Sequence, residues 1–127
     1  MAEELIAWLR RRPFLLARIR AVRIAHRKTP LTVLRAVLTR WTSHYLALKR
    51  LLELYSTLQF IVAEDKERGD VSAFLVGVRG KKKTQKAKQM LSLVGNGLFW
   101  QNIARYIQNQ YLLVVNSHRI FQYQATS

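Results

Sequence analysis

The chain has no cysteine. Disulfides are excluded, and so is any zinc site built on thiolates. A reducing compartment is the matching setting. Acidic residues are scarce: seven Asp and Glu stand against twenty-two Lys and Arg, a net charge of +15. No run approaches the ~18 uncharged apolar residues of a membrane span. There is no P-loop and no G-x-G-x-x-G. Glu3 and Glu4 come early, and Arg10-Arg11-Arg12 fall where the apolar core of a leader would run, so no signal peptide is expected. His26, His44 and His118 do not pair at helical spacing and have no cysteine beside them, so no metal site is expected. Ser43 and His44 are adjacent, which on a helix turns them about 100° apart, so they are not a nucleophile–base pair.

What remains is short, apolar and strongly basic. The 127 residues suit one domain, and 50% of them are hydrophobic, enough for a modest core. Residues 1–50 hold twelve Lys and Arg against Glu3 and Glu4 alone. A field of this sign attracts polyanions, either nucleic acid or acidic lipid headgroups, and destabilises the compact state by self-repulsion.

The pattern predicts an all-α fold of about four to five helices, irregular in arrangement, with room for one short extended segment. A first helix covers 2–12, its acids and arginines placed to suit the helix dipole. Pro13 interrupts it. A second covers 14–27, with Leu15, Ile19 and Val22 on one face and Arg20, Arg23 and Arg27 on a neighbouring stripe. Phe14 and Ile24 fall off that face, which predicts contacts on two sides. Residues 31–38 read as an extended connector. The main helix is expected from about 42 to 63. Trp41, Tyr45, Leu48, Leu52, Tyr55 and Val62 form its stripe, widened by Leu51, Leu54, Leu58 and Ile61. The acidic stretch 64–70 reads as a solvated loop or frayed end, and 71–78 as a short strand or connector. A helix is expected from the lysine run Lys81-Lys82-Lys83 to about Val94, stopped by Gly95. Asn96 is expected to cap a last helix ending near Tyr111. Trp8, Phe99 and Trp100 are expected in the core.

The block Thr39-Arg40-Trp41-Thr42-Ser43-His44-Tyr45-Leu46, running into Lys49-Arg50-Leu51-Leu52-Glu53-Leu54, resembles a motif of hAT-superfamily DNA transposases, in a spelling most similar to fungal members. Lys86-Ala87-Lys88-Gln89-Met90 and then Leu98-Phe99-Trp100-Gln101-Asn102-Ile103 look like a later segment of the same helical insertion. Leu5 to Arg10 is similar to the helix before the block. The likeness spans roughly 4–108, which would make 1–108 an insertion-domain fragment and 109–127 a divergent tail. The family implies an RNase H-like parent enzyme, nuclear and oligomeric. Its catalytic aspartates precede the block and its glutamate follows far downstream. Neither these nor the family's Cys-x-x-His is found in this sequence, so the resemblance implies no catalysis here.

The resemblance also implies that Arg40 and Trp41 face DNA, the tryptophan stacking on an unpaired base. Trp41 equally begins the apolar stripe, and that reading has it packed. Lys81, Lys82, Lys83, Lys86 and Lys88, with Arg20, Arg23 and Arg27, are the further candidates for phosphate contact without sequence preference. The lysines oppose the dipole of the helix they open. The function expected is non-specific DNA association by a truncated, non-catalytic chain. It needs no cofactor and no small-molecule substrate, and its protein partners would be a full-length transposase or a second copy. Two rivals stay open: a basic amphipathic protein on anionic membranes, for which 10–28 with Trp8, Phe14, Leu15 and Ile19 would suit, and a helical scaffold that docks on a full-length transposase.

Overall fold

The computed structural model describes residues 1–36, 41–68 and 78–126, apart from the side chains of Trp41, Thr42, Arg68 and residues 112–126. Six helices lie among the described residues: α1 (Ala2–Arg10), α2 (Pro13–Ala25), α3 (Trp41–Glu53), α4 (Tyr55–Arg68), α5 (Lys81–Val94) and α6 (Gly97–Thr126). The fold is all-α. Local chemistry explains the first two. Glu3 and Glu4 sit in the first turn of α1 and Arg10 in its last, each complementing the dipole. Pro13 occupies the first turn of α2, where its missing N–H costs nothing.

The end of α2 is less expected. Arg27 adopts φ 58, in the left-handed region. Its N–H bonds to the Ile24 carbonyl at 3.0 Å, and the Lys28 N–H to the Arg23 carbonyl at 2.8 Å. This is a Schellman ending with arginine where glycine is favoured. Arg27→Gly should therefore raise stability by about 0.5–1 kcal/mol, the relief of left-handed strain less the entropy glycine loses. Arg27→Ala keeps the strain and should leave the melting temperature within about a degree. Thermal melts of the two variants check this.

The core runs through all six helices. Leu5, Ile6 and Leu9 of α1, Leu15 and Ile19 of α2, and Leu51, Leu58 and Ile61 of α3 and α4 are essentially inaccessible. Met90 and Val94 of α5 and Ile103 of α6 close it. α1 packs on α2, α3 and α5. α2 packs on α4, and α6 on α3 and α5. Trp8, Phe99 and Trp100 are core residues, as their spacing predicts.

The expected main helix is two helices, α3 and α4, parted at Leu54. Arg23 of α2 donates to the carbonyl of Glu53, the last residue of α3, at 3.2 Å. A side chain that enters the helical carbonyl ladder in this way bends or breaks it. The buried face also differs in emphasis. Ala47, Leu51, Leu54, Leu58 and Ile61 are buried, whereas Tyr55 is exposed and Tyr45 and Leu52 are only half-buried. The alternation of three- and four-residue steps keeps the first set on one seam.

Other boundaries need correction. The acidic stretch is the last turns of α4 as far as Arg68, and not a solvated turn. Glu64 pairs with Arg18 at 2.5 Å, and Asp65 is buried. α2 packs on both α1 and α4, but Phe14 and Ile24 are both 55% exposed, so these two residues are not what makes the contacts. The last helix continues to Thr126, well past Tyr111 and into the tail read as divergent. Residues 31–36 have no regular secondary structure, as a connector should. Positions 37, 38 and 69–77 lie outside the described residues, and with them most of the expected strand or connector at 71–78.

Candidate nucleic-acid interface

The sequence-predicted cations separate into two groups. Arg20 and Arg27 are exposed on and just after α2. Lys81, Lys82 and Lys83 are exposed in the first turn of α5, which holds no acid. Lys88 is exposed one turn further on. None of these six pairs with an acid among the described residues. Lys86 is different: its Nζ lies 3.0 Å from Glu4 Oε2, tying α5 to α1. That bond and the lysine's charge hold the Glu4 carboxyl below its ordinary range.

Arg23 leaves the candidate surface. The sequence groups it with Arg20 and Arg27, but it is 7% exposed. Its Nε donates to the Thr29 carbonyl at 2.6 Å, and its Nη1 to the Glu53 carbonyl at 3.2 Å and to Thr57 Oγ1 at 3.4 Å. Phosphate contact would cost these bonds, so Arg23 is a tie between α2, the connector and the α3–α4 junction. Arg40 lies outside the described residues. Trp41 is the first residue of α3, and its side chain is outside them too.

The structure adds cations that sequence reasoning passed over. Arg10 Nη1 donates to the Val33 carbonyl at 2.6 Å, and Arg50 Nη1 to the Thr32 carbonyl at 3.1 Å. Arg12 lies over the Trp8 ring at 4.7 Å, and burial lowers its pKa. Arg11 and Arg35 are exposed and line one cleft together. Arg10 and Arg11 read in sequence as the end of a helix and as the start of the basic stretch 10–28, and Arg35 as part of a connector. The carbonyls that hold Arg10 and Arg50 belong to a segment distant from each in the chain, so no local signal marks these two bonds.

A polar line crosses the helices near this face. His44 of α3 has Nε2 2.9 Å from Glu3 Oε1 and Nδ1 3.3 Å from the Tyr106 hydroxyl of α6. Glu3 is held below the ordinary carboxyl range, first by its own backbone N–H and then by His44. The sign follows. A lowered folded-state pKa contributes stability above the unfolded value of 4.5, and that contribution is lost as pH falls through the folded value. The melting temperature should therefore drop on acidification below about pH 4.5, and Glu3→Gln should drop less. Melts between pH 6 and 3 measure the difference.

Among the described residues, no three His, Cys, Asp or Glu side chains come close enough to hold a metal. No helix among them is long and apolar enough to cross a membrane. No family model, curated protein or solved structure matches the chain.

Proposed function

We propose that the chain associates with DNA through its phosphates, without reading sequence and without catalysis of its own, as a piece of a hAT-like transposase insertion. One observation carries this reading. Arg20, Arg27, Lys81, Lys82, Lys83 and Lys88 are exposed and have no acidic partner among the described residues, on a chain of net charge +15. Exposed cations held apart from carboxylates are available to neutralise phosphates and release counterions. The lysines at the start of α5 add to this. They oppose the dipole of their own helix, and a bound polyanion would offset that cost. The sequence resemblance supplies the transposase assignment, a nuclear setting, and a full-length relative or second copy as the protein partner.

A salt titration with a duplex of arbitrary sequence tests the reading. The logarithm of affinity should fall linearly with the logarithm of salt, by about 0.9 for each phosphate contacted. With four contacts, affinity falls on the order of a hundredfold between 50 and 200 mM salt. Duplexes of unrelated sequence should give the same curve. Absence of binding at low salt would reject the proposal. Cleavage of hairpin or nicked DNA that follows the protein through purification, with magnesium present, would reject its non-catalytic part.

A further inference from the structure

Residues 28–36 form no helix or strand, so their carbonyls need partners from elsewhere. Arginines supply several. Arg23 bonds to Thr29, Arg50 to Thr32 and Arg10 to Val33. The segment is thereby tied to α2, α3 and α1 in turn. Two clefts open against it. One, of about 630 Å³, lies between residues 30–32, Arg20 with its α2 neighbours, and Arg50 of α3. The other, of about 470 Å³, lies between Arg35, Ala36 and the face of α1 that carries Glu3, Arg10 and Arg11. Along the segment, cations follow one another. Arg20 and Arg50 lie beside 31–32, Arg10 at 33, and Arg11 with Arg35 at 35–36. The span from 31 to 35 is at most about 15 Å of extended chain. That length covers about four nucleotides at an axial rise of 3.4 Å.

We propose that this segment and the clefts beside it form a track for a nucleic-acid backbone, on which Arg11, Arg20 and Arg35 contact successive phosphates. The proposal rests on the DNA-association reading above and names the surface that carries it. Arg11, Arg20 and Arg35 are exposed and have no hydrogen-bond or ion-pair partner among the described residues. Arg10 and Arg50 hold the wall in place. A guanidinium has five N–H donors, so one bond to a carbonyl does not exhaust either. Glu3 is the one acid among the described lining residues. Its carboxylate is engaged by His44 Nε2 at 2.9 Å and by the amino terminus at 3.3 Å, which counters its repulsion. Among the described residues, no exposed aromatic side chain lines either cleft, so what is described there suits phosphate contact. An anionic membrane fits less well. Binding there needs exposed apolar side chains beside the cations, and Phe14, Ile24, Phe60 and Leu98 line neither cleft.

The test compares two triple variants of the full chain that remove equal charge. One is Arg11→Gln, Arg20→Gln, Arg35→Gln, and the other Lys81→Gln, Lys82→Gln, Lys83→Gln. All six positions are exposed, and circular dichroism checks that each variant is folded. The probes are a 20-base-pair duplex of arbitrary sequence and phosphatidylcholine vesicles containing phosphatidylserine. The arginine triple should make the logarithmic salt slope for duplex shallower by about 2.7, three contacts at about 0.9 each. Its affinity near 0.1 M salt should fall on the order of a hundredfold. The lysine triple should change the slope by less than half as much. Arg35→Gln alone should change it by about 0.9, which keeps the test open if the triple misfolds. Equal losses in the two triples would show diffuse attraction and overturn the track, as would loss of vesicle binding with duplex binding kept. If the unsubstituted chain binds duplex and the arginine triple binds it equally, the track alone fails. If the unsubstituted chain binds no duplex, the function proposed above fails first.

Discussion

Arg23→Ala is expected to lower stability by about 3–5 kcal/mol, a large effect for an arginine on so basic a chain. The arginine is 7% exposed and bonds to the Thr29 and Glu53 carbonyls and the Thr57 hydroxyl. Its removal leaves these acceptors without their donor; the Thr57 hydroxyl is buried and the two carbonyls partly so. Each such group costs about 1–3 kcal/mol. The carbonyl of Glu53 matters most, because it sits where α3 stops and α4 begins. Lysine should not rescue the variant. A single ammonium cannot reproduce three bonds made from two differently placed guanidinium nitrogens. The neighbouring exposed Arg20→Ala should stay within about 0.5 kcal/mol of the parent chain. Urea or thermal unfolding of the three variants gives the comparison. An Arg23→Ala chain that melts with the parent would refute the assignment of Arg23 to the interior.

Trp100→Ala should cost a similar amount, roughly 3–5 kcal/mol. Trp100 is 5% exposed, and its ring meets Tyr55 at 4.9 Å and Phe99 at 5.3 Å, each edge-on. Its indole N–H also donates to the Val94 carbonyl at 2.8 Å, at the end of α5. Gln59 Nε2 reaches the same carbonyl from α4. Truncation therefore opens a cavity and removes one of two donors that fix the α5–α6 corner. Trp100→Phe separates the two effects. It keeps most of the packing and loses the bond, so it should cost about 1–2 kcal/mol, close to the value of one hydrogen bond. A domain of this size has a net stability on the order of 10 kcal/mol, less whatever self-repulsion removes. The alanine variant should then show a clearly lower urea midpoint. An unchanged midpoint would mean that the corner contributes little to the fold.

The corner was readable in advance because its signals are local. Asn96 caps α6 through bonds from the Leu98 and Phe99 N–H groups to its side-chain oxygen at 3.0 and 3.3 Å. Glycines flank it, and the apolar spacing of Phe99, Trp100 and Ile103 follows at once. A cap acts within three or four residues, so sequence order contains the whole interaction. The same holds for the start of α1, for Pro13 at the start of α2, and for Leu15, Ile19 and Val22 on its buried face. Net charge is also a property of composition, and with it the expectation of a polyanionic partner.

Arg23 illustrates what sequence order does not contain. It shares a stripe with Arg20 and Arg27, and nothing local distinguishes the three. Only the approach of Glu53, thirty residues along the chain, turns it from a surface cation into a buried residue bonded where α3 gives way to α4. Asp65 and Glu64 are a second case. In sequence they belong to a charged run that reads as solvated, yet α4 places Asp65 on the buried seam and brings Glu64 to Arg18. The connector at 28–36 is a third, because its unpaired carbonyls select which arginines are held and which stay exposed beside the clefts. Helix caps such as Asn96, simple apolar faces such as that of α2, and total charge follow from composition or from residues within a turn or two of each other. Which cations are interior and which face solvent depends on carbonyls and carboxylates that only folding brings near, and that was decided by the tertiary structure.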